Sequence, residues 1–150
     1  MGYDTSGQER LTMETSSGQH HEDVRKTIDD SIKKVSSMIS MMKALASSHM
    51  NASISTLAAT RAFGLQAIKT TIVLPEARTD LQGKYHYNEV CTVVIPTSYD
   101  QRNKWLRVME LLPCLFIGLE RQILNIKSLE DEQCGYINAR PSDMIRNTII

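Results

Sequence analysis

Two stretches of the chain carry an unbroken ladder of apolar residues spaced alternately four and three apart. The first is Ile28, Ile32, Val35, Ile39, Met42 and Ala46. The second is Trp105, Met109, Leu112, Phe116, Leu119, Ile123 and Ile126. That spacing is the heptad seam of helices that pack lengthwise on one another. It constrains the fold more than any other feature, because it commits just over a quarter of the chain to long helices with a partner along one side.

The residues between the ladders change character. Thr70 to Leu74 is β-branched and stops at Pro75, and Lys84 to Ile95 is rich in Tyr, Val and Thr and stops at Pro96. The polar run from Glu76 to Gly83 joins them, so the pattern predicts two antiparallel strands and a loop. Two strands are marginal alone and must pack on the helices or pair with another chain. Between the first ladder and these strands, Ile54, Leu57, Ala58, Leu65 and Ile68 predict a further helical stretch. Ser53 or Asn51 would be its N-cap, and Gly64 would lie unfavourably inside it.

Helix one is expected to begin near Glu22 and Asp23, whose carboxylates suit a helix N-terminus. Helix two is expected from about residue 101 to 129, capped by Ser98 or Asp100 and kinked or briefly broken at Pro113. Leu106, Val108, Leu111, Leu115 and Ile117 widen its apolar face nearly all round, which predicts a central position. Residues 1–20 are rich in Ser, Thr, Gly and Gln and read as a disordered tail. Residues 21–130 then form one α+β domain, dominated by two to three long helices packed with one β-hairpin. Residues 131–150 form a flexible C-terminal tail.

Charge is balanced, with 17 basic and 17 acidic residues, so nothing in the total points to nucleic acid or an acidic membrane. Low net charge offers little repulsion between copies and suits a chain that assembles. Cys91, Cys114 and Cys134 are widely spaced and odd in number, as expected for the cytoplasm or another reducing compartment. The N-terminus has no apolar signal region. The longest uncharged apolar run, Leu111 to Leu119, is far short of the roughly 20 residues that span a bilayer.

Four features bear on function. Ile28, Ile32, Val35, Ile39 and Met42 form a narrow seam suited to self-association. Met38, Met41, Met42 and Met50 cluster nearby and suit either an adaptable surface or core filling. From Ser31 to Pro75 there is no acidic residue, while Lys33, Lys34, Lys43, Arg61 and Lys69 are basic. On one face these could contact phosphates of nucleic acid or of anionic lipid. Thr148 and Ile150 place a hydroxyl two positions before an apolar end, which resembles the tails bound by PDZ domains through strand addition. Tyr136-Ile137-Asn138 resembles a motif read by SH2 domains.

Asp4-Thr5-Ser6-Gly7-Gln8-Glu9-Arg10 resembles the switch II segment of small GTPases. No phosphate-binding loop or Asn-Lys-x-Asp accompanies it, so the string implies no nucleotide chemistry. His20 and His21 are adjacent and lack metal-ligand spacing. No local signature joins a Cys or Ser nucleophile to a base. The sequence therefore predicts no catalytic residues, metal or cofactor. It predicts a non-enzymatic interaction or structural protein, homo-oligomeric through helix one and similar in composition to small viral accessory or matrix-like proteins. The alternatives are a nucleic-acid or membrane-surface module built on residues 31–75, and a small enzyme whose site is formed only by folding.

Overall fold

A computed structural model describes residues 2–3, 9–16 and 24–149. In chain order these form β1 (Gly2–Tyr3), β2 (Glu9–Ser16), α1 (Val24–Ser48), α2 (Ile54–Ala59), β3 (Arg61–Ile68), β4 (Thr71–Thr79), β5 (Tyr85–Val94) and α3 (Trp105–Gln133). A 3-10 segment, Tyr99–Lys104, leads into α3. Two 3-10 turns, Pro141–Asp143 and Ile145–Asn147, follow it.

The centre of the molecule is a sheet of four long strands, β2 to β5 in sequence order, with the two-residue β1 on the β2 edge. β2 and β3 are parallel, with Leu11 beside Phe63 and Thr15 beside Ala67. α1 and α2 form the crossover that a parallel pair requires. β3, β4 and β5 then run as an antiparallel meander.

The two faces of β3 show how the layers are arranged. Ala62, Gly64 and Gln66 alternate with Phe63, Leu65 and Ala67. The first set meets α1: a Cβ at Gly64 would stand 3.0 Å from Met38 Sδ and 3.0 Å from Thr12 Oγ1. The second set meets α3, where Phe63, Leu74, Val93 and Leu111 form one buried cluster flanked by Leu11, Leu65, Val108, Leu115 and Leu119. The larger cluster lies under α1 and α2 and contains Met38, Met42, Leu45, Leu57 and Ala77. The last turns of α3 (Ile126, Leu129) and Ile145 close it.

This arrangement overturns the expected two to three long helices packed with one β-hairpin. Over the strands, α1 and α3 lie on opposite faces of the sheet and do not pack lengthwise on each other. The expected disordered N-terminal tail is also corrected, because Glu9–Ser16 is a strand in the sheet. The predicted helix from Ile54 to Ile68 ends at Ala59, and Gly64 lies in a strand. A strand covered on both faces loses the alternation of apolar and polar residues, so its sequence does not distinguish it from a helix.

Ser53 does cap α2, its hydroxyl accepting from the Thr56 amide. β4 continues through Pro75 to Thr79 instead of stopping there. The register between β4 and β5 shifts at Leu74/Pro75, and a bulge is where an interior strand can absorb proline's missing N–H. α3 likewise runs on through Pro113. The segment expected as a C-terminal tail docks back. Ile145 is fully buried, its amide donates to the Ala52 carbonyl, and the Arg146 amide donates to that of Met50.

Candidate interaction surfaces

α1 meets the sheet through Lys34, Met38, Met41, Met42 and Leu45, all buried, and His49 just past its end continues the stripe. This stripe is rotated from most of the sequence ladder. Ile28 and Ile32 are exposed, Val35 and Ile39 are half-buried, and Met42 lies in the core. Of the five residues expected at a self-association seam, four therefore lie along one flank of α1 and Met42 does not. Those four line an open groove of about 660 Å³, closed on its other side by Tyr87 and Glu89 of β5 and by Gln66 of β3.

The groove borders a buried polar network. The Lys34 ammonium donates to Gln66 Oε1. Gln66 Nε2 donates to the Ser31 hydroxyl at 2.9 Å. Burial pulls the Lys34 ammonium below its ordinary pKa, while Glu89 and Glu14 act in the opposite direction.

The five basic residues between 31 and 75 do not converge. Lys33 is exposed and 4.0 Å from Asp30. Lys34 is buried, and Lys43 lies over the Tyr85 ring at 5.8 Å. Arg61 pairs with Glu76 at 2.7 Å on the α3 side of the sheet. Lys69 occupies the turn between β3 and β4 with φ 52°. A phosphate-binding face would need several of these side by side, and the fold distributes them over both sides of the sheet.

α3 carries eight of the 17 exposed large apolar side chains among the described residues. Its sheet-facing stripe is Val108, Leu111, Leu115, Gly118, Gln122 and Ile126. The flank over β5 carries Cys114, Ile117 and Arg121, which with Val90 and Phe63 line a cavity of about 340 Å³. The opposite flank, toward β2, carries the sequence ladder. There Trp105, Met109, Leu112, Phe116 and Ile123 are 45%, 56%, 54%, 67% and 61% exposed, and Leu119 is half-buried at their inner edge. Met13 of β2 is also exposed on this side of the sheet.

Sequence reasoning found this ladder and expected it in the core. Gly118 was the signal that could have corrected the assignment. A Cβ there would come 2.5 Å from Phe63 Cζ, so the side of the helix bearing Gly118 lies on the sheet and the ladder lies beside it.

The ends of α3 carry charges opposite to those a lone helix prefers. Lys104 stands at the N-cap position with no acid in the first turn, and the last turn has no base. Glu130, Asp131 and Glu132 cluster at the C-terminal end. Glu132 is engaged internally: one oxygen accepts from the Ser53 amide at 2.7 Å and the other from the Thr56 hydroxyl at 2.7 Å, at the start of α2.

The other sequence candidates have structural surroundings. His49 is buried at the end of α1, with Nδ1 2.8 Å from the Leu45 carbonyl oxygen. Cys91 is half-buried and its thiol is pushed up by burial, reinforced by Cys114 and Glu110 and opposed by Arg107. Among the described residues no group of three or more His, Cys, Asp and Glu is placed to hold a metal ion. Among the described residues no helix is long and apolar enough to cross a membrane.

Thr148 follows the last 3-10 turn and its amide donates to the Ile145 carbonyl. Ile150, residues 4–8 of the GTPase-like string, His20, His21 and the expected helix start at Glu22 and Asp23 lie outside the described residues. No family model matches the chain, and no curated protein or solved structure is significantly similar to it.

Proposed function

We propose that this chain is a non-enzymatic interaction or structural protein that assembles with copies of itself. The observation that carries the proposal is the exposed apolar flank of α3. Monomeric proteins expose scattered apolar side chains, but a contiguous row of large ones marks a surface that another molecule covers. The exposed Ile28 and Ile32 of α1 supply a second, smaller surface. Balanced charge is compatible with copies approaching closely.

Light scattering of the full chain at low and high salt tests the proposal. The expected result is a dimer or larger species whose mass does not fall as salt rises, because apolar burial is little affected by screening. A monomer at the highest soluble concentration under both conditions refutes it.

A further inference from the structure

We infer that a second copy covers the α3 flank by pairing its own α3 antiparallel to the first, about a two-fold axis between Phe116 and Leu119. The inference rests on self-association and specifies which surface performs it. Three observations lead to it.

The first is period. Residues that merely face water need no spacing, yet the exposed flank keeps the four-three alternation from Trp105 through Ile123. The stripe packed on the sheet lies beside it, roughly a quarter-turn around the helix. A repeat near 3.5 residues on a flank that nothing among the described residues fills is suited to another helix running lengthwise.

The second is area. Five side chains at about half to two-thirds exposure leave on the order of 600 Å² of mostly apolar surface, given how much area large side chains present. A stable interface takes about 800 Å² from each partner, and the exposed Met13 and the inner edge at Leu119 extend the flank toward that value.

The third is charge. Lys104 at one end of α3, and Glu130 and Asp131 at the other, are unfavourable for the helix alone. Antiparallel pairing reverses this, because each basic N-terminal end then lies beside an acidic C-terminal end and the two helix dipoles oppose. With the axis between Phe116 and Leu119, Leu112 lies against Ile123 of the partner subunit. The contact is isologous, so it closes on two copies.

Analytical ultracentrifugation of the full chain, wild type against Phe116→Asp and Ile32→Asp, tests the surface. Phe116 is exposed, so Phe116→Asp is expected to keep the wild-type circular dichroism spectrum. Both copies lose an anchor, so the dimer should weaken at least about 100-fold. Ile32→Asp should leave dimerisation unchanged. A folded Phe116→Asp that remains dimeric, or a dimer lost only in Ile32→Asp, overturns the α3 interface while leaving self-association standing. A monomeric wild type overturns both.

Orientation is tested with Leu112→Cys and Ile123→Cys, using the wild type as the background for its native cysteines. An antiparallel pair gives new disulfide-linked dimers only when the two variants are mixed. New dimers from each variant alone indicate parallel helices and overturn the proposed geometry.

Discussion

Gly118→Ala tests how closely α3 is seated on the sheet. In an exposed helix interior, replacing glycine by alanine gains about 1 kcal/mol of helix propensity. Here the added methyl would lie 2.5 Å from Phe63 Cζ and 3.0 and 3.1 Å from the two Cε atoms. Carbon atoms prefer about 3.5–4.0 Å, so the helix must lift or the ring must turn. Phe63 is held in β3 between β2 and β4 and is only 4% exposed. Overpacking of this kind costs about 1–3 kcal/mol, and so short a contact belongs at the upper end. The neighbouring cavity of about 340 Å³ gives the ring somewhere to move, which limits the penalty.

The net expectation is a loss of about 1–2 kcal/mol, because overpacking outweighs propensity. That corresponds to a fall in Tm of about 2–8 °C for a chain of this length. Urea denaturation followed by circular dichroism measures it, with protein concentration fixed so that self-association contributes equally to every variant. Phe63→Leu removes the far end of the ring, so Gly118→Ala should be nearly harmless in that background. The coupling between the two sites should reach about 1 kcal/mol. A Gly118→Ala protein more stable than wild type, or strictly additive effects, would show that α3 does not pack on Phe63 as described.

Two further expectations concern pH. Burial holds the Lys34 ammonium below its ordinary value of 10.5, so between the folded value and 10.5 the unfolded chain binds more protons than the folded one. Stability attributable to this residue therefore rises with pH across that window. Lys34→Met should remove the rise, which the wild-type-minus-variant difference isolates from Tyr85, Tyr87 and Cys91, whose raised values act in the opposite direction. Parallel stability curves for the two proteins would contradict the assignment. In the β4–β5 hairpin, the Asp80 carboxylate accepts from His86 Nε2 and from the Lys84 and Gln82 amides, which together hold it below its usual 3.8. Its contribution to turn order is present above pH 3.8 and lost as pH falls through the folded value. Hydrogen exchange at the Gln82 and Lys84 amides should accelerate over that range in wild type but show no such step in Asp80→Ala.

The expected layout of two to three long helices with one hairpin is contradicted, but the helical periodicity of α1 and α3 was legible in their regular apolar spacing. Their orientation was not. Each carries two adjacent apolar stripes, and periodicity alone does not say which one meets the sheet. In α1 the buried stripe includes Lys34, which no apolar count would select, and it is accommodated because Gln66 Oε1 accepts a hydrogen bond from its ammonium. β2 was the largest omission. Only Leu11 and Met13 alternate as apolar residues within Glu9–Ser16, and its longest pairing is with β3, some fifty residues away. Without β2, β3 lacked the partner on its other edge, and its Ala, Gly and Gln residues resembled an amphipathic helix. The β4–β5 hairpin was found, but Pro75 shortened the expected first strand because a bulge inside a strand leaves little local signature.

The distribution of residue types around α3 supports a separation between folding and assembly. Where α3 lies on the sheet, two of its central positions are Gly118 and Gln122. The latter donates from Nε2 to the Arg61 carbonyl at 2.7 Å. A helix whose apolar residues served only the core would place its bulk there. Instead Trp105, Phe116 and Ile123 stand on the flank, where the described fold gives them little cover. Leaving such side chains half to two-thirds in water forgoes on the order of 1–2 kcal/mol of burial each. That disadvantage disappears if a second copy covers them. Substitutions on the flank should therefore change assembly without changing the fold, while Gly118 and Phe63, on the adjacent stripe, should do the reverse. If Phe116→Asp unfolds the chain in dilute solution, the flank belongs to the core of one molecule and the separation fails.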